Sequence, residues 1–445
     1  MTSNIPKKGY TAQGIKTKIY KPKQEEYSSE FGVNNQIYFC GVPFRLDSYS
    51  GCTFMCKYCF SRTSELTNIS NKNRQSNILV PDPKNFKRYL AIALDQGLKR
   101  ADINIEWLRH KVPIHWGGMS DPFQPCEAKY KITKAWLEYL NWYQYPVVIS
   151  TKSTMLVEPE YLQLLKEGNY AVQITLITDD DNIVKQLEPN APSATERLNA
   201  ISKLVEAGIW VAVIIQPMIP NSPIENKLPE YITKLAKLGV NHVLIEAYKV
   251  QVRNSIDMNY IWQLFPEATK AYNFNDTQSF GFELLLPSWR KYQYVKVAKT
   301  VCKENNITFG AADNDMRDFG DVVCCCGIDN LKGFENFWKY QASQAAKIAK
   351  EQGTVSLGDM QQFWSGDKGS IAEQAGEMRN TAKAHKANIT AKYAIDFMWN
   401  KGNECSPAVM PSMNIDSDNN GNIIYKYKDP TNKLENNYTE QFTLF

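Results

Sequence analysis

The sequence predicts an α/β fold: a partial (βα)6-type barrel with a helical C-terminal appendage and flexible tails. Six short β-rich runs alternate with single amphipathic segments between residues 37 and 248. Several of those segments end in glycine, as helix C-termini do, and one more helix and strand follow before residue 313. Strands joined by single helices pair in parallel, and in such folds ligands gather at the C-terminal ends of the strands.

The elements follow in order. Residues 1–30 carry lysines at 7, 8, 16, 18, 21 and 23 against Glu25, Glu26 and Glu30, and read as a basic arm, either solvated or phosphate-contacting. The strand runs are IYFCGV (37–42), VPIHWGG (112–118), YPVVIST (145–151), YAVQITLIT (170–178), WVAVIIQPMI (210–219) and HVLIEAY (242–248). Helical periodicity falls near 84–99, 131–143, 158–167, 194–207 and 226–238, and a helix at 288–305 with strand ITFGAAD (307–313) extends a barrel unit taken as 31–330. Residues 331–412 read as a helical appendage without a convincing strand. Residues 413–445, rich in Asn, Asp, Lys and Tyr with an NNGN turn signal, read as a flexible tail.

Composition bounds the function. A chain of 445 residues, 43% hydrophobic and 22% charged, buries a full core and is neither disordered nor fibrous. Its net charge of +4 permits a nucleic-acid partner without identifying one. No run of about 18 apolar residues occurs and the N-terminus lacks a secretory signal pattern, so a soluble, cytoplasmic protein with no membrane association is expected. Ten cysteines are too sparse for a disulfide scaffold and read as ligands, catalytic groups or core residues.

The segment GCTFMCKYCF sets Cys52, Cys56 and Cys59 in the loop after the first strand. Three thiolates within eight residues can wrap one face of a metal centre, and the chain offers no second CxxC or HxxxH pair to complete a structural zinc site. A [4Fe-4S] cluster held by three cysteines leaves one iron open to a small chelating molecule. This spacing, after strand one of a βα barrel, resembles the radical S-adenosylmethionine (SAM) superfamily. SGCTFMCKYCF, GGMSDPFQP, STKS, LEPNAPSATERLNAISKLVEAG and QPMIPN are similar, in order and separation, to its spore photoproduct lyase and DNA-repair-photolyase-like branch. The similarity covers about half the chain, from residue 37 to 250.

The resemblance implies a [4Fe-4S] cluster on Cys52, Cys56 and Cys59, SAM as cosubstrate, and a 5′-deoxyadenosyl radical that abstracts a substrate hydrogen. It implies that Gly117 and Gly118 admit the methionine moiety, that Lys152 meets its carboxylate, and that Ser120, Asp121, Thr175 and Gln216 surround the ligand. Turn formation for the glycines and Asp121, and an ordinary strand role for Thr175, are the alternatives. Tyr58 would pack on the cluster or adenine, and Trp116 would stack an extruded base, with a place in the core as the alternative for an aromatic at a strand end. Glu188 and Arg197 read as a structural ion pair or a ligand contact, and His115 as a satisfied core histidine or a base beside the cavity.

Two positions depart from the lyase: Met119 replaces its hydrogen-donating cysteine, and Phe60 the tyrosine after the cluster motif. Cys126, or Cys325 in the Cys324-Cys325-Cys326 run near the expected cavity mouth, is the substitute donor, with an extra metal centre or buried small side chains as alternatives for the run. The last five residues resemble the peptide that docks bacterial repair proteins on a sliding clamp, with Gln441, Leu444 and Phe445 as anchors. Together these readings predict hydrogen abstraction on a DNA base, with a flavodoxin- or ferredoxin-type electron donor. The rivals are radical chemistry on a protein or small molecule, and a non-catalytic zinc-stabilised adaptor for DNA and the clamp.

Overall fold

The computed structural model describes residues 31–33, 38–61, 78–95, 107–252, 255–272, 278–280, 283–361, 396, 398–400 and 406–435. The basic arm and the terminal pentapeptide lie outside the described residues. Seven strands open the main sheet: β1 (Phe31–Val33), β2 (Phe44–Leu46), β3 (Ile114–Trp116), β4 (Val147–Thr151), β5 (Tyr170–Thr175), β6 (Trp210–Met218) and β7 (His242–Ala247). After them β8 (Val250–Gln251), β9 (Gln278–Phe280) and β10 (Glu283–Leu285) form a small sheet of their own, and β11 (Thr308–Ala311) returns to pair in parallel with β7. The main sheet runs β1-β2-β3-β4-β5-β6-β7-β11, antiparallel at β1 and parallel elsewhere, and stays open. It is the expected partial barrel.

Helices α1 (Pro83–Leu94), α2 (Glu127–Tyr130), α3 (Ile132–Tyr143), α4 (Pro159–Glu167), α5 (Asp181–Leu187), α6 (Ala194–Glu206), α7 (Pro223–Asn226), α8 (Leu228–Lys237), α9 (Ser255–Leu264) and α10 (Ser288–Glu304) fill the connections. Local chemistry starts several of them. Asp82 caps α1 by accepting from the Lys84 amide at 2.9 Å, and Ser193 and Glu196 close a reciprocal capping box on α6. Proline stands in the first turn of α4 and α8, where its missing N–H is not needed.

The pleat sorts residues onto two faces. Ile114, Ile149, Val172, Val213 and Val243 share the helix-covered face and are fully buried in the main core. Each such side chain stabilises the fold by about 1.5–3 kcal/mol. The register puts Arg45, His115, Ser150, Gln173, Thr175, Gln216 and Glu246 on the inner face. Its floor is apolar: Val148 and Ala171, near the N-terminal ends of β4 and β5, pack with Val323, Cys324, Cys326, Ile328, Phe334 and Phe337.

Three expectations are corrected. In the 37–42 run, residues 38–42 form no strand; their carbonyls bond outside the sheet, Tyr38 accepting from Ala342 N at 3.0 Å and Gly41 from Trp338 N at 2.8 Å. The region read as strandless, 331–412, contains β12 (Thr354–Ser356) between α11 (Ala342–Gln352) and α12 (Leu357–Gln361). The stretch read as a flexible tail contains a hairpin, β13 (Met413–Ser417) and β14 (Ile423–Tyr427), whose second strand pairs with β12.

Candidate active site

The Asp47–Ser61 loop leaves the C-terminal end of β2 and is tied down along its length. Asp47 Oδ1 accepts from the amides of Met119 (2.9 Å) and Ser120 (3.1 Å), and Ser120 Oγ donates to Tyr49 O at 2.6 Å. Gln124 donates to Gly51 O at 2.7 Å and accepts from Thr53 N at 3.0 Å. On the other side Lys57 N donates to Leu187 O at 2.8 Å. The buried Glu127 anchors the base of this arrangement, accepting from the Tyr49 and Tyr161 hydroxyls and the Thr133 and Lys134 amides.

Cys56 is buried, and Cys52 and Cys59 are partly exposed. Burial pushes the Cys52 thiol up to about 12, with Asp121 and Cys59 adding to it. Burial also holds Cys56 well above its usual value; Lys152 opposes this, while Glu188, Cys59 and Cys52 reinforce it. The three thiols are therefore electrostatic neighbours, and Cys52 and Cys56 are protonated when free, so loading a metal must displace their protons.

Lys152, just past β4, sits with Nζ 5.6 Å from the centre of the Tyr58 ring. Burial pulls its pKa down, but Cys56 and Glu188 outweigh that and the net shift is upward, so it stays cationic. The Tyr58 hydroxyl donates to Glu188, which pairs with Arg197; both partners of that ion pair are fully buried. Arg197 spends its remaining donors on Pro192 O at 3.0 Å and Thr175 O at 2.8 Å. Glu188 and Arg197 are thus structural, and Tyr58 is a positioning residue between the cysteines, the lysine and the pair.

Other expected ligand residues are occupied by the protein. Asp121 accepts from Phe123 N (2.9 Å), Thr151 Oγ1 (2.7 Å) and Lys152 N (2.7 Å), which makes it the clamp that orients the lysine. Gly117 has φ +96°, and a Cβ there would lie 2.3 Å from Ser150 O, so its glycine serves the turn; the nearest atom to a Cβ on Gly118 is Arg45 Cγ at 3.6 Å. Trp116 is not a stacking platform: it is fully buried on the helix side, 5.9 Å from Trp136, with Nε1 donating to Ser48 at 2.9 Å. Cys126 is buried in the same helix-side core, its thiol pushed up to about 12 by burial with Glu127 and Cys52 adding.

Thr175 and Gln216 do line the inner face, and Gln216 donates to Glu246. His115 donates to Ser150 Oγ at 2.8 Å and Ser150 to Gln173 at 3.0 Å; burial lowers His115 to about 4, so it is neutral and satisfied. The Cys324-Cys325-Cys326 run is not at the cavity mouth. Cys324 and Cys326 fill the apolar floor, and the half-buried Cys325 accepts from Arg317 Nη1 at 3.3 Å. Glu127, Glu246 and Arg317 were missed because nothing in their local sequence distinguishes them.

Three thiols in one pinned loop beside a held cation at the strand ends fit a three-cysteine cluster with a carboxylate-bearing chelator. Among the described residues, no group of three or more His, Cys, Asp or Glu side chains is set to hold a single metal ion. Residues 46–230 match the family model of the Radical SAM superfamily.

The chain carries a radical SAM domain.

Domains of this superfamily use a [4Fe-4S] cluster and SAM, which are the cofactors of this family of enzymes. An uncharacterized protein of Mycobacterium tuberculosis is 25% identical over 272 residues, 59% of this chain and 75% of the relative. A radical SAM Nα-GlyT isomerase of Pseudomonas phage M6 is 23% identical over 259 residues, 55% of this chain and 48% of the relative. Among solved structures, a spore photoproduct lyase mutant with bound AdoMet and dinucleoside spore photoproduct aligns at TM-score 0.44 and 13% identity, covering 63% of this chain and 80% of its own. Among the described residues, no helix of this radical SAM protein is long and apolar enough to cross a membrane.

Proposed function

We propose that the radical SAM domain acts on a DNA base, abstracting a hydrogen to reverse a lesion or install a modification. The observation that carries the radical assignment is the grouping of Cys52, Cys56 and Cys59 in one pinned loop beside Lys152. When bound, the cluster and SAM supply a hydrogen-abstracting 5′-deoxyadenosyl radical. The residues of this chain do the rest. The three cysteines hold the cluster, and Lys152, oriented by Asp121 and steadied by Tyr58, meets the methionyl carboxylate. Gly118, where a Cβ would only touch Arg45 Cγ at 3.6 Å, leaves room for the ligand, and Thr175 walls the same face.

Of the two thiols proposed as hydrogen donor, Cys325 is the better placed, because it lies half-buried against Arg317 while Cys126 packs in the helix-side core. A nucleic-acid substrate is supported by the motif resemblance between residues 37 and 250 and by the lysines of residues 1–30. Docking on a sliding clamp through Gln441, Leu444 and Phe445, and reduction by a flavodoxin- or ferredoxin-type donor, are further parts of the proposal.

The test is anaerobic reconstitution followed by iron and sulfide analysis, then reduction with SAM and chromatography for 5′-deoxyadenosine with and without duplex DNA. The proposal expects about four irons per chain and DNA-stimulated release, with Cys56→Ala losing both. Full iron and cleavage in Cys56→Ala would overturn the cluster assignment. Stimulation by metabolites or peptides but not DNA would overturn the substrate.

A further inference from the structure

The inner face carries a second group of polar side chains, on strands other than those that hold the cysteine loop and Lys152. At the C-terminal ends of β6 and β7, Glu246 is almost fully buried and binds two partners: Lys249 Nζ on Oε1 and Gln216 Nε2 on Oε2. Arg317 stands within electrostatic reach of the same carboxylate, and so does Cys325. These residues come from the β6, β7 and post-β11 segments. The cysteine loop follows β2, four strands from β6, and Lys152 follows β4, with only β5 between it and β6.

Glu246 determines what its neighbours can offer. A carboxylate accepts only, so it fixes the Gln216 amide with nitrogen toward Glu246 and turns Oε1 away. That oxygen has no partner among the described residues. Arg317 bonds Asn314 Oδ1 through Nε at 3.3 Å and Cys325 Sγ through Nη1 at 3.3 Å, which leaves Nη2 without a partner among the described residues. Lys249 offsets the charge of Glu246, so the group does not repel a polar ligand. What remains is one fixed acceptor beside Glu246 and one fixed donor on the segment that follows β11, the strand paired with the β7 of Glu246.

That pair matches a planar edge bearing both an N–H and a carbonyl. A phosphate has only acceptors and would leave Gln216 Oε1 unsatisfied against an anion. A nucleobase edge supplies both groups. We propose that Gln216 and Arg317 are the specificity-determining residues for the substrate base: Gln216 Oε1 accepts from its ring or exocyclic N–H, and Arg317 Nη2 donates to its carbonyl. This rests on the reading of the site as acting on a DNA base and names which part of the base is recognised. It also places the Cys325 thiol, bonded to Arg317, beside the recognised base.

The experiment uses reconstituted full-length protein and four short single-stranded oligonucleotides, each carrying one base type at a central site. It measures half-saturation and base preference in oligonucleotide-stimulated 5′-deoxyadenosine release. Binding by fluorescence anisotropy is measured in parallel. Gln216→Leu and Arg317→Met are each expected to raise the half-saturating concentration of the preferred oligonucleotide about ten-fold and to flatten the preference. Arg317→Lys, which keeps the charge but loses the fork, is the companion variant and is read in place of Arg317→Met if the latter does not retain its iron. Wild-type half-saturation and preference in Gln216→Leu and in the Arg317 variant would overturn the assignment while leaving the DNA reading intact. Wild-type protein that shows no stimulation by any oligonucleotide would overturn the DNA reading, and this assignment with it.

Discussion

The Tyr58–Glu188–Arg197 chain shows how single residues hold the site at an energetic risk. Arg197 has no exposed surface, so removing its carboxylate strands a guanidinium in the core. Glu188→Ala is expected to destabilise the protein by about 3–5 kcal/mol in urea unfolding, and adding Arg197→Leu should recover much of that loss. Unchanged stability in the single variant would mean that the pair does not brace this part of the fold. A second consequence concerns acid. His242 is fully buried between Thr308 and the Cys325 carbonyl, and burial lowers it from 6.5 to about 4. The unfolded chain therefore binds more protons between those values. Stability present above pH 6.5 is lost as pH falls toward 4, by about 3 kcal/mol for this histidine. His115 acts in the same direction, and Asp318, raised to about 6 by burial, opposes below that pH. Denaturant titrations at pH 7 and 4.5 check the slope, and His242→Gln should reduce it.

At the scale of elements, β-branched runs followed by amphipathic segments made the barrel legible. The expected strands at 145–151, 170–178, 210–219 and 242–248 each contain an observed one, and the helix expected at 288–305 is α10. The first strand was misread because residues 38–42 are apolar for another reason: Val42 joins the inner-face floor while the chain's carbonyls bond residues 338 and 342. The glycine pair was read as one device and is two. Gly117 lies in the left-handed region with the Ser150 carbonyl where its Cβ would go, and a Cβ on Gly118 would meet Arg45 Cγ only at ordinary contact, 3.6 Å. Gly117→Ala should cost at least about 2 kcal/mol by thermal or urea unfolding. Gly118→Ala should fold like the parent, so a bulkier residue there tests ligand access without a folding defect. Equal losses in the two alanine variants would contradict this division.

At the scale of the molecule, the sequence made the cysteine loop legible because its ligands lie within eight residues, and hid the opposite wall because its parts lie on separate segments. Gln216 and Glu246 meet across the paired strands β6 and β7, and Arg317 and Cys325 join that side only through the folding of the chain after β11, which no local spacing records. The C-terminal hairpin was hidden for a similar reason: its polar outer residues resemble a tail, while its buried residues are few. Tyr425 is fully buried, packs edge-on at 4.9 Å against Trp399 and donates to the Trp399 carbonyl, and it pairs with Val355 of β12. From there the contacts lead back to the site. β12 follows α11 directly, and Ser343 of α11 donates to Val323 O at 2.8 Å, next to Cys324. The hairpin and α11 therefore brace the segment that carries Arg317 and Cys325. Tyr425→Ala should destabilise the protein by about 3–5 kcal/mol. Hydrogen exchange should quicken in residues 317–326 as well as in 413–427, while β4 and β5 keep their protection. If exchange rises only within the hairpin, the C-terminal unit does not brace the inner wall, and the position of Arg317 must be set by the barrel alone.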